Sequence, residues 1–302
     1  MKKLFAFVLL VVFFALGANA QLLYKISGKG LEKPSYIVGT YHLANVKFVD
    51  SIPGIRQAMA DVEQVYGEVA TSEMHAPDNL MKMQQAMFLP DGKTLSDVLT
   101  KEEMGKLNAF LKKQMGVDLT NPVMAQQMGR LSPMALNTQL TVLMYLKNHP
   151  TEFDPTKVFD DYFQQQAIES GKPVAGLETF EFQMETMLGG KGMKRQVELL
   201  MCLIDHEEFM LAMTDHIVKA FYSQDMDAIF EAMNEKLNNH CDMLPEEERA
   251  FLNDRNADWL TKMPGIMKAH STLFVVGAGH LPGEFGVLEG LKRLGYTVEG
   301  VR

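Results

Sequence analysis

The sequence predicts an α/β fold: a central, mostly parallel sheet with flanking helices and a large helical insertion. Three observations lead there. Short β-branched runs recur and end at glycine, as in "YIVG" and "LFVVG". Unbroken apolar runs of this length suit strands buried on both faces, the habit of parallel sheets. Segments of helical period separate these runs, and one long helical stretch, residues 77–150, carries no strand signal.

Taken in order, "LLYKISGKGLEKPSYIVGTYH" reads as two strands joined by a turn at Gly28, Lys29 and Gly30, with Pro34 at the start of the second. Ser51, Ile52 and Pro53 then open a helix, with Pro53 near its first turn. Val65–Val69 is a short strand. Beyond Pro77, Thr100 and Glu103 have the spacing of a capping box, and Met104, Leu107, Phe110 and Leu111 continue it with helical period. Pro133 lies near the start of a further helix. Val158, Tyr162, Phe163 and Ala167 mark the apolar face of another, which Gly171 ends. Pro173–Leu177 is a strand, and Thr179 caps the helix after it. Helices run on to Met263. The chain closes with the strand "STLFVVGAGH", the helix "GEFGVLEGLKRLGY" and the strand "TVEGVR", a unit expected to form a right-handed crossover.

The first twenty residues, "MKKLFAFVLLVVFFALGANA", have a basic start, an apolar run and an Ala-x-Ala end. These are the marks of a secretory signal peptide cleaved after Ala20. The apolar run is shorter than the roughly 18–20 residues of a spanning helix, so no stable membrane span is expected after cleavage. The product is expected to be exported, to a periplasm or to the extracellular space. Residues 21–302 then form the α/β domain, interrupted by the insertion at about 77–150. Loss of Lys2 and Lys3 takes the formal charge from −9 to −11. So acidic a chain is a poor candidate for nonspecific nucleic-acid binding, and no nucleic-acid partner is expected.

Two cysteines occur, Cys202 and Cys241. Export permits a disulfide closing a loop of about forty residues; two separate buried thiols are the other reading, and both stay open. No zinc-finger or CxxC spacing is present. The 23 methionines follow helical patterns and are read as core and groove filling.

The chemistry lies at strand ends. Gly-x-x-His occurs twice, as "GTYH" ending at His42 and "GAGH" ending at His280, where chance placement of 23 glycines and 8 histidines gives about 0.6. Glu68 in "VYGEV" and Glu178 in "VAGLET" share the same placement. In open α/β sheets, ligands gather beyond the carboxyl ends of the strands. Two histidines and two glutamates converging there suit a divalent metal or an acid/base site. Asp160 and Asp161 read as a helix-surface pair. There is no HExxH, which excludes a thermolysin-type zinc site.

These motifs, with "FDDYFQQQAIESGKPVAGLETFEFQ", "LNDRNADW" and "FVVGAGHLPGEFGVLEGLKRLGYTVEGV", resemble the TraB/PrgY/GumN family, which includes the Tiki metalloproteases, over nearly all of residues 21–302. The resemblance implies a fold akin to the erythromycin-esterase and ChaN proteins. It also implies a metal-dependent hydrolase that cleaves peptides, its partner a peptide or small-molecule substrate. By position, His42, Glu68 and His280 become candidate metal ligands, and Glu68, Glu178 and Arg255 candidate catalytic groups; the Arg255–Asn256 pair is read either as a binder of a substrate carbonyl or carboxylate or as an exposed helix charge. The metal is a divalent ion; manganese, cobalt and zinc all suit the donor set. Two other readings are a non-catalytic binder that sequesters a peptide or a haem-like ligand, and an esterase-type hydrolase using histidine and glutamate without metal.

Overall fold

The computed structural model describes residues 21–150 and 157–302. The expected leader, residues 1–20, and its cleavage point lie outside them. The fold is α/β, a six-stranded mixed sheet flanked by helices. Its strands are β1 (Leu23–Ser27), β2 (Ser35–Thr40), β3 (Gln64–Gly67), β4 (Val174–Gly176), β5 (Thr272–Gly277) and β6 (Thr297–Gly300). They lie in the order β4-β3-β5-β2-β1-β6.

Sequence explains this order. β2 is buried at every position and β5 at all but its last, so these two apolar runs occupy the middle, paired in parallel from Tyr36↔Leu273 to Thr40↔Gly277. β3 adds in parallel to the other side of β5, and β4 to β3. β1 alone runs the other way. It reaches β2 through the turn at Gly28, Lys29 and Gly30, where φ is +84°, +48° and +78°. β6, half exposed, closes the edge against β1. β5 and β6 therefore run in the same direction, as a crossover unit requires, but β2 and β1 separate them.

The helices used below are α1 (Ile55–Asp61), α2 (Pro77–Ala86), α3 (Lys101–Met115), α4 (Pro133–Asn148), α5 (Phe159–Glu169), α6 (Met193–Asp205), α7 (Glu207–Tyr222), α8 (Met226–Met233), α9 (Asp254–Ala269) and α10 (Val287–Arg293). The capping box at Thr100 forms: its hydroxyl accepts from the Glu103 N–H at 3.2 Å, and Glu103 accepts from the Thr100 N–H at 2.7 Å. α1 starts later than Pro53, because Gly54 takes a left-handed φ of +71° and a 3-10 turn, Val46–Ser51, precedes it.

Two apolar clusters result. One joins the sheet to α1, α5, α8, α9 and α10, through side chains such as Ile37, Phe159, Phe163, Trp259 and Phe274. The other lies among the helices between Leu89 and Met144 and is completed by Val197, Leu200 and Leu203 of α6. A disulfide joins Cys202 of α6 to Cys241, which resolves the choice that the sequence left open. Among the described residues no helix is long and apolar enough to cross a membrane.

The disulfide closes a 39-residue separation, and chain entropy assigns such a link about 3–4 kcal/mol. Replacing both cysteines by serine should lower unfolding stability by about that amount. Denaturant titration of the parent and the double variant measures it. Equal midpoints would contradict a disulfide that constrains the unfolded chain.

Candidate functional site

Four parallel strands point their carboxyl ends at one edge of the sheet, and each delivers one side chain there. β2 ends at Thr40 and leads to His42; β3 ends at Gly67 and leads to Glu68; β4 ends at Gly176 and leads to Glu178; β5 ends at Gly277 and leads to His280. The pairing of β3 with β4 continues past the strands, where the Glu178 N–H donates to the Glu68 carbonyl at 2.9 Å. This fixes the two glutamates side by side.

The glycines of the two Gly-x-x-His motifs have steric reasons. A Cβ on Gly39 would lie 3.1 Å from Ala278, in the crossing of the two strand ends. A Cβ on Gly277 would come within 3.3 Å of Glu68 Oε1, the oxygen to which the Gly277 N–H donates at 2.8 Å. Bare backbone at Gly277 lets that carboxylate approach.

Arg255, on the first turn of α9, holds the centre together. It is about 1% exposed, so the structure corrects the reading of it as an exposed helix charge. Its Nε and Nη2 donate to Glu178 at 3.0 and 2.7 Å, Nη2 also donates to Glu68 at 2.6 Å, and Nη1 donates to His280 Nε2 at 3.0 Å. Gln183 donates to both glutamates, at 3.0 and 3.1 Å, and the Trp259 indole N–H to Glu178 at 3.1 Å. Every oxygen of the buried carboxylates thus has a donor, as burial of charge demands.

The histidines are oriented in the same way. His280 Nδ1 meets Asn256 Oδ1 at 2.7 Å, while the Asn256 amide nitrogen donates to the carbonyls of His280 and Phe285. This network assigns the Nδ1–H form of His280, with its Nε2 lone pair toward Arg255 and, 3.8 Å away, Glu68 Oε1. The ring also packs on Trp259, centroids 4.5 Å apart. His42 Nδ1 meets Asp160 Oδ2 at 2.7 Å, and the Thr40 hydroxyl donates to the other Asp160 oxygen. The expected helix-surface role of Asp160 is therefore overturned: it faces inward from the first turn of α5. Asp161 turns toward His75, at 3.6 Å.

Protonation follows from these partners. Burial alone would raise the Glu68 carboxyl; the charges of His280, Arg255 and His42 and the Gly277 N–H oppose it and hold it down to about 2. Burial pushes His280 down to about 4, so it is neutral at pH 7 and Arg255 carries most of the stabilisation of Glu68 there. Asp160 draws His42 above its usual 6.5, although about 63% of that side chain is exposed and water screens the pull.

His42, Glu68, Arg255 and His280 line one cavity of about 260 Å³, with Met187, Phe251 and Leu252 around it. Those three apolar residues lie on two π-helical turns, Glu185–Gly189 and Arg249–Asn253, a local form that recurs at functional sites. Glu178 does not line the cavity; it stands behind Arg255. Asp160, Gln183 and Trp259 were not expected in the site, and Asn256, read with Arg255 as a binder of substrate, instead orients His280. The motif block "FDDYF" contained Asp160, and "LNDRNADW" Asn256 and Trp259, but nothing in their spacing gives their direction.

A divalent metal fits this donor set. Both histidines have Nδ1 tied to a side-chain oxygen, the usual orienting contact of a metal-bound imidazole, which leaves Nε2 as the ligand atom. His280 is neutral and Glu68 ionised, as ligands must be, whereas His42, raised by Asp160, would have to give up its Nε2 proton to an ion. Arg255 with Glu68 and Glu178 carries a formal charge of minus one, which a cation offsets. Among the described residues the one grouping whose ligand atoms already lie within 4.8 Å of one another is Cys202, His240 and Cys241, and with both sulfurs in the disulfide it offers no thiolate; His42, Glu68 and His280 share a cavity and would have to draw closer around an ion.

Removing the guanidinium should leave two buried carboxylates without their cation. Arg255→Met is expected to cost about 3–5 kcal/mol at neutral pH. A carboxyl whose folded pKa lies below 4.5 contributes stability that is complete above 4.5 and fades as pH falls toward 2. The variant lacks that contribution, so parent and variant should converge in acid. Urea unfolding of chelator-treated proteins at pH 7 and at about pH 3.5 measures both effects. A deficit that is small at pH 7, or that grows in acid, would contradict this electrostatic role.

The sequence profile of the TraB/PrgY/gumN family matches residues 22–300. Among curated proteins, the chain is similar to metalloprotease TIKI2 of Danio rerio, 24% identical over 307 residues, covering 88% of this chain and 58% of that one. It is likewise 24% identical to metalloprotease TIKI2 of Xenopus tropicalis (88% and 57% covered) and to metalloprotease TIKI1 of Danio rerio (89% and 61%). The chain thus spans about three fifths of the length of these relatives. No solved structure matches it significantly. With the family profile running from the first strand to the last, and the two Gly-x-x-His motifs at the heart of the site, the chain belongs to the TraB/PrgY/gumN family.

Proposed function

We propose that this protein is a metal-dependent hydrolase of peptides, with its reaction centre in the cavity lined by His42, Glu68, Arg255 and His280. The observation that carries the reading is the paired anchoring of the two histidines, His42 on Asp160 and His280 on Asn256, each through Nδ1. His42 Nε2, Glu68 Oε1 and His280 Nε2 would hold the ion. When bound, a divalent metal polarises a scissile carbonyl and lowers the pKa of bound water to about 7 in the best zinc cases.

The chain's own residues do the rest. Asp160 fixes the His42 ring through Nδ1 and holds a proton on the free imidazole that an ion at Nε2 would have to displace. Asn256 fixes the tautomer of His280. Arg255 keeps Glu68 ionised and puts a fixed positive charge at the cavity wall, where an oxyanion would form. Glu178 and Trp259 hold Arg255 in place and do not touch substrate. The Arg255 Nη1 contact uses the His280 lone pair that a metal would need, so that contact would have to yield for His280 to hold one; the Nε and Nη2 bonds to the glutamates do not compete. That same contact favours a second reading, in which histidine and glutamate hydrolyse substrate without metal.

We further propose action outside the cytoplasm, as a single α/β unit over residues 21–302 with its helical insertion. The leader-like residues 1–20 and the disulfide, a bond of oxidising compartments, support export.

Chelator should abolish cleavage of a mixed peptide library, and a divalent metal should restore it. Asp160→Asn should weaken metal affinity by about 10–100-fold, because it loosens the ring that presents Nε2. His42→Ala, at an exposed position, should fold and lose metal. Calorimetric titration with manganese, cobalt and zinc, alongside peptide turnover, checks all three. Turnover that survives complete metal removal would overturn the metal reading in favour of the metal-free one.

A further inference from the structure

The reaction cavity adjoins two others. Met233, Phe251, Leu252 and Gly279 line both it and a second cavity of about 360 Å³. Met233, Met243, Glu235 and Asp242 in turn border both that cavity and a third, also about 360 Å³, beside the disulfide. Met233, at the end of α8, is common to all three. The adjoining cavities form a trough that leads away from the histidines toward α6 and α7.

The walls of this trough share one chemistry. Phe230, Met243 and Phe285 border it with exposures of 43, 47 and 59%, which is costly for side chains of this kind unless a partner covers them. The floor is cut down to backbone beneath the two central side chains. A Cβ on Gly279 would meet Met233 Cε at 2.4 Å, and one on Gly283 would meet a Phe230 ring carbon at 2.6 Å. Methionine there adapts to differently shaped apolar groups. The rim, by contrast, is mostly acidic: Glu235, Asp242, Glu248 and Glu284 stand against Lys236, with Lys191 further along the third cavity; Glu235 pairs with His216 at 2.6 Å and Asp242 accepts from the Leu237 and Asn239 N–H groups, so the charge open to a ligand lies on Glu248 and Glu284. The disulfide pins the segment carrying Asp242 and Met243 to α6, so this wall is fixed.

We propose that the trough is the substrate groove, selective for extended peptides that present apolar side chains flanked by lysine or arginine, with Met233 as the specificity-determining residue at its junction with the reaction cavity. The proposal rests on the hydrolase reading for turnover, but not for binding. Apolar walls select the anchoring side chains, the acidic rim selects their charged neighbours, and continuity with the reaction cavity selects a segment of polypeptide over an isolated small molecule.

The test uses chelator-treated protein carrying methyl-labelled methionine and three ten-residue peptides. One combines leucine and phenylalanine with lysine, one has the same apolar residues with aspartate, and one has serine with lysine. Methyl NMR should show the first peptide shifting Met233 and Met243, with affinity at least about tenfold above the other two and falling as salt rises. Met233→Lys and the exposed Phe285→Ser should each weaken that peptide by about tenfold. Equal affinities, or shifts confined to a distant surface methionine such as Met81, would overturn the groove. So would the same methyls moving with lipid vesicles and with no peptide. After metal is restored, binding without cleavage would sink the hydrolase reading and leave the groove standing; cleavage without preference among the three would do the reverse.

Discussion

The buried guanidinium of Arg255 is the constraint on which the site depends. A permanent cation at about 1% exposure is stable only with fixed counter-charges around it, and two glutamates from neighbouring strands supply them. That requirement dictates much else. β3 and β4 must pair in a register that sets Glu68 beside Glu178, as their shared backbone bond does. α9 must enter over the strand ends, and the π turn before it brings the Phe251 carbonyl within 3.2 Å of the same guanidinium. Trp259, one turn on, closes the cluster with its indole N–H on Glu178 and its ring on His280.

The same arithmetic of charge points outward. One guanidinium against two carboxylates leaves a formal negative charge, and the one oxygen that Arg255 does not bond, Glu68 Oε1, lies 3.8 Å from a neutral imidazole nitrogen of the cavity. His42 completes the set from across the parallel pairing of β2 and β5. The scaffold therefore separates two tasks. Glu178 and Trp259 stand behind Arg255 and Asn256 behind His280, holding position; His42, Glu68 and His280 line the cavity itself.

Most of the sheet was legible in the sequence, because β2 and β5 are apolar without interruption and end in the same Gly-x-x-His. The parallel order makes the placement of His42, Glu68, Glu178 and His280 at one edge a matter of topology. What escaped was direction. Asp160 and Asp161 at the start of a helix satisfy the helix dipole whichever way they face, so their spacing gives no sign that one of them holds His42, 118 positions away. Arg255 is as ambiguous: a helical arginine reads as solvent-facing until its partners, 77 and 187 positions distant, are placed. The cysteine pairing depended likewise on where α6 lies, and the antiparallel β1 between β2 and β6 follows from a glycine turn whose consequence for the last strand no local pattern carries.

The central claim is that two histidines held through Nδ1 and one ionised glutamate form a metal centre beside a guanidinium. A crystal structure of the metal-loaded protein, with the ion located by its anomalous scattering, tests it most directly. One ion is expected on His42 Nε2, Glu68 Oε1 and His280 Nε2, with Arg255 still bonded to both glutamates and released from His280. An ion bound elsewhere, with Arg255 still on His280 Nε2, would contradict it.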